Sequence, residues 1–321
     1  MVIVFRSPDE VPPGFGPSVV AIGKFDGVHF GHVAVIGRAR AVAASSGVQV
    51  VAVTFDRNPL ALLRPEDCPA PLASLEQKIR LLGEAGVDAV LVLRFDEALA
   101  ALSPRDFVTH VLAGSLDAVH VVVGDDFRFG NRGAGTPDTL RELGAEFGFD
   151  VEVVGDVEGT GRRVSSTWVR ELLSAGDVEG AARLLGRPHV VEGTIVHGLK
   201  RGRELGFPTA NLSPDAAGFV PADGVYAGWL VDAGPGTTAS ARAVTTYPAA
   251  ISVGTNPTFD DVEARQVEAY VLDETGLDLY GHRVQVLFSH RIRGMTAFDG
   301  IDALVAQMTD DVARVRNALD G

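Results

Sequence analysis

The sequence predicts an α/β protein with a doubly wound parallel sheet in its first half and an antiparallel β-barrel with a terminal helix in its second half. The length of 321 residues exceeds what one hydrophobic core ordinarily supports, which favours two domains. In the first half, continuous apolar segments alternate with helical patterns, as in parallel sheets covered on both faces. After Gly186, short strand patterns separated by Gly, Pro and Asp are typical of an antiparallel barrel or sandwich.

The elements of the first half follow from apolar runs and capping signals. Residues 18–25 form an apolar run typical of a buried strand, whereas residues 74–85 place their apolar side chains at helical spacing. Ser103 and Pro104 fit the N-cap and first position of a helix. The predicted strands are 18–25, 48–55, 87–95, 118–124 and 149–154, and the predicted helices are 32–46, 74–85, 103–112 and one opening at 136–137.

The boundary between the halves is predicted at residues 184–188. Gly186 can end a helix, and Pro188 prevents the helix from continuing. We therefore expect one domain in residues 1–186 and a second in residues 187–321. In the second domain, the predicted strands are 191–197, 225–231, 243–253, 267–272 and 284–288, and one or two helices fill 297–319.

The composition indicates which binding partners and which cellular compartment to expect. The net charge of -14 argues against a general nucleic-acid binder, although a small anion needs only local positive charge. The apolar runs are too short for a membrane span, and the segment MVIVFRSPDE lacks the features of a signal peptide. With Cys68 as the sole cysteine, no intrachain disulfide can form, so we expect a cytoplasmic protein. The sequence is compatible with an oligomer but does not predict one.

The segment GKFDGVHFGH, residues 23–32, lies where a predicted strand ends and a helix begins. Its glycines let the backbone turn sharply and approach a ligand closely. The helix N-terminus offers N–H groups to an anion, and His29 and His32 can donate to phosphate oxygens during phosphoryl transfer. A metal site is a weaker interpretation, because two imidazoles give only two ligands. A structural turn with two exposed histidines is the third interpretation.

Two later segments of the first half carry further polar side chains. In GDDFRFGNRG, residues 124–133, aspartates can bind a ribose, a metal or an amine, and arginines can bind phosphate. In GRRVSSTWVRELL, residues 161–173, the hydroxyls can cap a helix that carries Arg170 one turn inside. The same hydroxyls and Arg170 can also hold a triphosphate.

These motifs, with TFDRNP at 54–59, resemble the FAD synthetase module of bacterial bifunctional riboflavin kinase/FAD synthetases in order and spacing. That module belongs to the nucleotidylyltransferase superfamily, whose H-x-G-H motif is similar to His29, Gly31 and His32. The resemblance implies that both histidines stabilise the transferring α-phosphoryl group of ATP. Arg57 and Asn58 stand where the family often has proline and histidine. The implied nucleotide-binding residues are Gly23, Asp26, Gly31, Asp126 on the adenosine side, Arg128, and Ser165, Ser166, Thr167 and Arg170 over the triphosphate.

The second half holds a basic, glycine-rich segment and two candidate polar sites. Residues 193–212 contain a flexible basic loop that is either a solvated surface loop or a phosphate cover. Thr209 and Asn211 share one face of an extended strand and offer hard oxygen ligands suited to Mg²⁺, although a polar sheet face is the plainer interpretation. Glu268 alternates with apolar neighbours, so it is either an outward-facing glutamate or a general base for an alcohol.

The second half resembles the riboflavin kinase module of the same enzymes, through GFPTANL at 206–212, VGTNPTF at 253–259 and VEAYVLDETGLDLYG at 267–281. The resemblance implies that Thr209 and Asn211 bind Mg²⁺ with ATP and that Glu268 is the base for the 5′-hydroxyl of riboflavin. The implied phosphate-covering loop holds Gly198, Lys200, Gly202 and Gly206, and Arg291 is implied to border the flavin.

The resulting prediction is a bifunctional enzyme that phosphorylates riboflavin to FMN and adenylylates FMN to FAD. Its expected small-molecule substrates are riboflavin, FMN and ATP, and its expected cofactor is Mg²⁺. Two alternatives stay open: a riboflavin kinase with a degenerate first half, and a flavin-binding regulator without turnover.

Overall fold

The molecule, described by a computed structural model, consists of two compact units. The units comprise Met1–Ser166 and Thr167–Gly321. The second unit therefore begins earlier in the chain than the predicted second domain. The described residues are 2–198, 205–235, 244–255, 265–274 and 276–320.

The first unit is built on a parallel sheet of six strands among the described residues, in the order β1-β4-β3-β2-β5-β6. All neighbouring strands of this sheet pair in parallel, which confirms the predicted parallel sheet. The edge strand β1 was not predicted. The strands are β1 (Ile3–Phe5), β2 (Ser18–Ile22), β3 (Gln49–Phe55), β4 (Ala89–Leu93), β5 (Ala118–Gly124) and β6 (Asp150–Val154), and a small hairpin follows with β7 (Glu158–Gly159) and β8 (Arg162–Arg163).

The helices of this unit cover both faces of the sheet. Alternate residues of one strand enter different cores: Val20 belongs to one cluster, and Val19 belongs to the other. Ser74 and Gln77 form a capping box at the start of α3, which lies within the predicted helix 74–85. The helices are α1 (Phe30–Ser46), α2 (Leu60–Leu63), α3 (Leu75–Glu84), α4 (Glu97–Ala101), α5 (Pro104–Phe107), continued by a π-helical segment (Val108–Ser115), and α6 (Pro137–Phe147).

The second unit is a closed antiparallel barrel of six strands in the part of the chain that the structure describes. The barrel confirms the predicted architecture of the second half. Helix α7 (Ser166–Ala175) leads into the unit, and α8 (Val178–Leu185) packs against its strands and ends at Gly186, where φ is +73°. The barrel strands are β9 (His189–Val196), β10 (Thr209–Leu212), β11 (Gly224–Pro235), β12 (Thr245–Thr255), β13 (Arg265–Val271) and β14 (His282–Arg293).

The terminal helix α9 (Ile301–Asp320) lies against the outside of the barrel, as predicted for the end of the chain. Val315 joins an apolar cluster with Val225 and Ile292. Asp311 is buried and accepts from the guanidinium of Arg293, with Nη2 at 2.7 Å from Oδ2 and Nε at 2.8 Å from Oδ1. This charged pair fixes the helix to the end of β14.

Candidate active sites

The first candidate site forms where β2 ends and α1 begins, at the carboxyl edge of the parallel sheet. The connecting loop contains three positive backbone angles, with φ of 50° at Phe25, 79° at Gly27 and 42° at Val28. Non-glycine residues rarely adopt such angles, and strained loops of this kind occur often at ligand sites. The loop places His29 directly before the first turn of the helix.

His29 and His32 stack on each other at the N-terminus of α1. Their ring centroids are 3.7 Å apart, the ring planes differ by 19°, and His29 is buried. Gly31 makes this packing feasible, since a methyl group there would lie 3.1 Å from Cε1 of His29. The structure therefore brings together all three residues of the predicted H-x-G-H motif, beside the N–H groups of the helix terminus.

The environment of His32 favours its neutral form. Burial lowers the pKa of His32 well below its ordinary value, and the positive charges of His29, Lys78, Lys24 and Arg163 lower it further. Its Nδ1 is buried and has no hydrogen-bond partner among the described residues. A bound polyphosphate would reverse the repulsion from these cations, because a nearby anion favours the imidazolium.

Ser166 is hydrogen-bonded to the main chain of Asp26 in the first unit. The hydroxyl of Ser166 donates to the carbonyl oxygen of Asp26 at 2.9 Å, and Oδ1 of Asp26 accepts from the Leu72 N–H at 2.9 Å. Ser165 precedes this contact in the chain. Thr167 and Arg170 lie in α7, which continues into the second unit.

The other nucleotide-binding candidates of the first half have separate contacts. The Gly23 N–H donates to the Val53 carbonyl oxygen at 3.1 Å, which ties the start of the loop to the neighbouring strand. Oδ2 of Asp126 lies 2.8 Å from Nη2 of Arg163. Arg128 donates to the adjacent Phe127 carbonyl oxygen at 2.9 Å.

Asn58 in the TFDRNP segment has a local structural contact. Its Oδ1 accepts from the Leu60 N–H at 3.1 Å, at the start of α2. Oδ1 of the preceding Asp56 accepts from the Phe95 N–H at 2.8 Å. The departure from the family's pattern therefore coincides with a side chain that accepts from the first N–H of a short helix.

The second candidate site lies across the paired barrel strands β10 and β13. Asn211 pairs directly with Glu268, so their side chains share a face, and Thr209 lies two residues along the same strand. The Thr209 hydroxyl donates to Oε2 of Glu268 at 3.2 Å, and Nδ2 of Asn211 lies 3.3 Å from Oγ1 of Thr209. The predicted base and the two predicted Mg²⁺ ligands therefore form one contiguous cluster.

Electrostatics distinguish Glu268 from an ordinary surface glutamate. Burial raises the pKa of Glu268, and the hydrogen bond from Thr209 opposes this rise. A raised pKa makes the carboxylate a stronger base towards an alcohol proton. The hydroxyl of Thr209 and the amide oxygen of Asn211 beside it are hard oxygen donors, which fits a site for Mg²⁺.

Glycines shape the approach to this cluster. A methyl group at Gly198 would lie 2.6 Å from Cγ of Asn211, so the backbone there passes directly over the amide. Gly206 has a φ of +87°, which other residues rarely adopt. Lys200 and Gly202 of the predicted phosphate cover lie outside the described residues.

Arg291 is held by main-chain carbonyl groups of the second unit. Its Nη1 donates to the Ala175 oxygen at 2.8 Å, and its Nη2 donates to the Asp223 oxygen at 3.2 Å. The guanidinium thus links the end of α7 to the turn before β11. The predicted border with a flavin remains a prediction.

The chain matches two family models, and each match covers one of the two candidate sites. The FAD synthetase model matches residues 13–168, and the riboflavin kinase model matches residues 185–319. A bifunctional riboflavin kinase/FMN adenylyltransferase from Pseudomonas fluorescens is 39% identical, covering 93% of this chain and 92% of that protein. The chain belongs to the bifunctional riboflavin kinase/FMN adenylyltransferase family.

Two further proteins are similar to this chain over most of its length. The protein of the same description from Escherichia coli K12 is 37% identical, over 93% of this chain and 91% of that protein. A crystal structure described as a macrolide-efflux protein from Streptococcus pneumoniae superposes with a TM-score of 0.85 and 32% identity, covering 98% of this chain and 99% of that one. Among the described residues of our chain, no helix has the length and apolar character needed to cross a bilayer.

The structure also reveals charged residues near the histidine pair to which the sequence had assigned no role. Lys78 on α3 and Arg163 on β8 both influence the pKa of His32. Arg163 lies in the candidate segment 161–173, where the sequence assigns the triphosphate to the hydroxyls and Arg170. Lys78 lies within an amphipathic helix, and its sequence position gives no sign of its contacts.

Across the described parts of the chain, no group of three or more His, Cys, Asp or Glu side chains is arranged to hold a metal.

Proposed function

We propose that this chain makes FAD from riboflavin in two consecutive ATP-dependent reactions. The barrel unit phosphorylates riboflavin to FMN, and the parallel-sheet unit transfers AMP from ATP to FMN, releasing pyrophosphate. The observation that carries this proposal is that each matched family segment contains a clustered set of the polar residues that its reaction needs.

In the kinase reaction, Glu268 acts as general base. Its carboxylate takes the proton from the 5′-hydroxyl of riboflavin while that oxygen attacks the γ-phosphorus of ATP, and ADP leaves. Thr209 and Asn211 would hold Mg²⁺ with the nucleotide, where its charge would be opposite to that of the phosphates and would offset it. The loop containing Gly198 and Gly206 covers those phosphates, and Arg291 lies beside the flavin.

In the adenylyl transfer, a phosphate oxygen of FMN attacks the α-phosphorus of ATP, and the bond to the bridging oxygen of pyrophosphate breaks. His29 and His32 donate to the α-phosphoryl oxygens as negative charge develops, together with the N–H groups at the start of α1. Ser165, Ser166, Thr167 and Arg170 bind the triphosphate. Asp126 lies on the adenosine side, and no covalent enzyme intermediate is needed.

The decisive experiment is to incubate the pure protein with riboflavin, ATP and Mg²⁺ and to separate the flavins over time. We expect FMN to appear first and FAD to follow, with no conversion when Mg²⁺ is left out. Accumulation of FMN without FAD would support a kinase with a degenerate first half. Flavin binding without either product would support a non-catalytic regulator.

We further propose that the kinase activity resides in residues 187–321. Helix α8 precedes this boundary, and its residues Val178, Ala181 and Leu184 are buried within the second unit. A fragment that begins at 167 is therefore expected to be more stable to heating than one that begins at 187, while both phosphorylate riboflavin. Thermal unfolding and FMN formation by the two fragments test this. A folded 167–321 fragment without kinase activity would contradict the assignment.

The compartment and partners are proposed on chemical grounds. The single cysteine fits a reducing cytoplasm, and the net charge of -14 disfavours nucleic acid as a partner. Riboflavin, FMN and ATP are therefore the expected ligands of the protein.

A further inference from the structure

Lys78 connects the ends of two neighbouring strands at the carboxyl edge of the parallel sheet. Its Nζ donates to the carbonyl oxygen of Phe55, the last residue of β3, at 2.7 Å. It also lies 3.3 Å from the carbonyl oxygen of Lys24, in the loop after β2. The buried hydroxyl of Thr54 donates to the same Lys24 oxygen at 3.1 Å. Lys78 and Thr54 together thus fix the loop of residues 23–27 to the end of the adjacent strand.

The charge of Lys78 acts on the histidine pair. Burial lowers the pKa of Lys78 to about 8, and the carboxylates of Asp26 and Asp56 oppose this decrease. The ammonium in turn contributes to the lowered pKa of His32, as does Lys24. The positive charge of Lys78 therefore acts electrostatically at His32, beside which the phosphoryl group of ATP is predicted to bind.

A role in holding the loop together explains the hydrogen bonds of Lys78, but it does not explain why a charged ammonium group lies at this position. Placing an ammonium group in a partly buried position is unfavourable, and it adds positive charge to a region that already holds Lys24, Arg163 and two histidines. A ligand with several negative charges would turn this repulsion into attraction. Perturbed groups of this kind gather at functional sites for that reason.

We propose that Lys78 is a positioning residue for adenylyl transfer, which holds the loop before His29 in place and supplies positive charge for the polyphosphate of ATP. The inference rests on the adenylyl transfer proposed above. Formation of FAD by the unaltered protein tests that function separately, before any variant is compared.

The test compares Lys78→Met, Lys78→Arg and the control Arg141→Met, which removes an exposed cation from helix α6. We expect Lys78→Met to lower kcat/KM for ATP in FAD formation about 100-fold, the scale for loss of one electrostatic contact. Lys78→Arg should recover most of this loss, and Arg141→Met should match the parent. Riboflavin phosphorylation by the same preparations monitors the integrity of the second unit, and circular dichroism, compared with that of the parent, monitors the secondary structure of the whole chain.

The pH profile separates a charge role from a merely structural one. In the parent, kcat/KM for ATP should decline as the pH rises through about 8, where free Lys78 loses its proton. Lys78→Arg should lose this decline, because arginine stays charged over this pH range. The neighbouring titratable groups Lys24, Asp26, Asp56 and His32 are present in both proteins, so a difference between the two profiles is assigned to position 78. Parent-like FAD formation by Lys78→Met, or an unchanged decline in Lys78→Arg, would overturn the proposal. If Lys78→Met does not fold, the profile of Lys78→Arg decides alone.

Discussion

Replacement of His29 by alanine is expected to reduce FAD formation about 100- to 1000-fold and to leave FMN formation unchanged. His29 is buried against His32, with ring centroids 3.7 Å apart, at the N-terminus of α1. Its removal takes away a preorganised donor to the α-phosphoryl group, and loss of one such donor typically has an effect of about this size. The two reactions are measured on one preparation by separating the flavins.

The same substitution should also change the titration of His32. His29 is the second-largest cause of the lowered pKa of His32, after burial. Its removal opens the site to water and removes a like charge, and both changes raise the pKa of His32. NMR titration of the His32 ring tests this effect without reference to activity.

The exposed residue His110 in the same unit provides the matched control. His110→Ala should retain both activities, since its ring makes only a local contact, in which Nδ1 donates to the Asp106 carbonyl oxygen at 2.7 Å. Equal loss of both activities in His29→Ala would contradict the assignment of separate sites. Parent-like FAD formation would remove His29 from the transfer.

The sequence predicted the central strands of the parallel sheet because burial on both faces requires continuous apolar residues. The segment 48–55 is apolar along most of its length, and β3 occupies Gln49–Phe55. Strand β1 escaped prediction because it has three residues and only one of them, Phe5, is buried. A short edge strand contributes too few apolar side chains to produce a readable pattern.

For the candidate sites, the sequence predicted the arrangement of residues within one short motif, but not the contacts between segments that are distant along the chain. The H-x-G-H spacing placed both imidazoles at one helix terminus, because that geometry is local to the chain. Period-two spacing likewise placed Thr209 and Asn211 on one face. The contact between Lys78 and Phe55 could not be read in this way, since it depends on how α3 packs against the sheet. Contacts between distant segments need the tertiary structure.

Replacement of Glu268 by glutamine is expected to lower riboflavin phosphorylation about 100-fold or more while FMN adenylylation continues. Glutamine keeps the size of the side chain and an oxygen that can accept from the Thr209 hydroxyl, so the substitution removes little except the basic carboxylate. Loss of a general base typically lowers a rate about 100- to 10,000-fold. Glu274→Gln, an exposed site just after the same strand, is the matched control.

The pH dependence and the stability of this variant distinguish a base from a structural glutamate. Burial raises the folded-state pKa of Glu268 above its ordinary value, so the parent kinase should lose activity as the pH falls through this raised pKa, and Glu268→Gln should lack that acid limb.

The raised pKa of Glu268 also affects the stability of the protein. The folded state binds the proton of Glu268 more tightly than the unfolded state does. Ionisation of Glu268 therefore reduces the free energy of unfolding as the pH rises through this range. At pH 7, Glu268→Gln should be at least as stable as the parent by thermal unfolding, because the buried charge is gone. Normal kinase turnover in Glu268→Gln would exclude Glu268 as the base, whereas lost turnover with undiminished stability would place its role in the chemistry of the phosphoryl transfer.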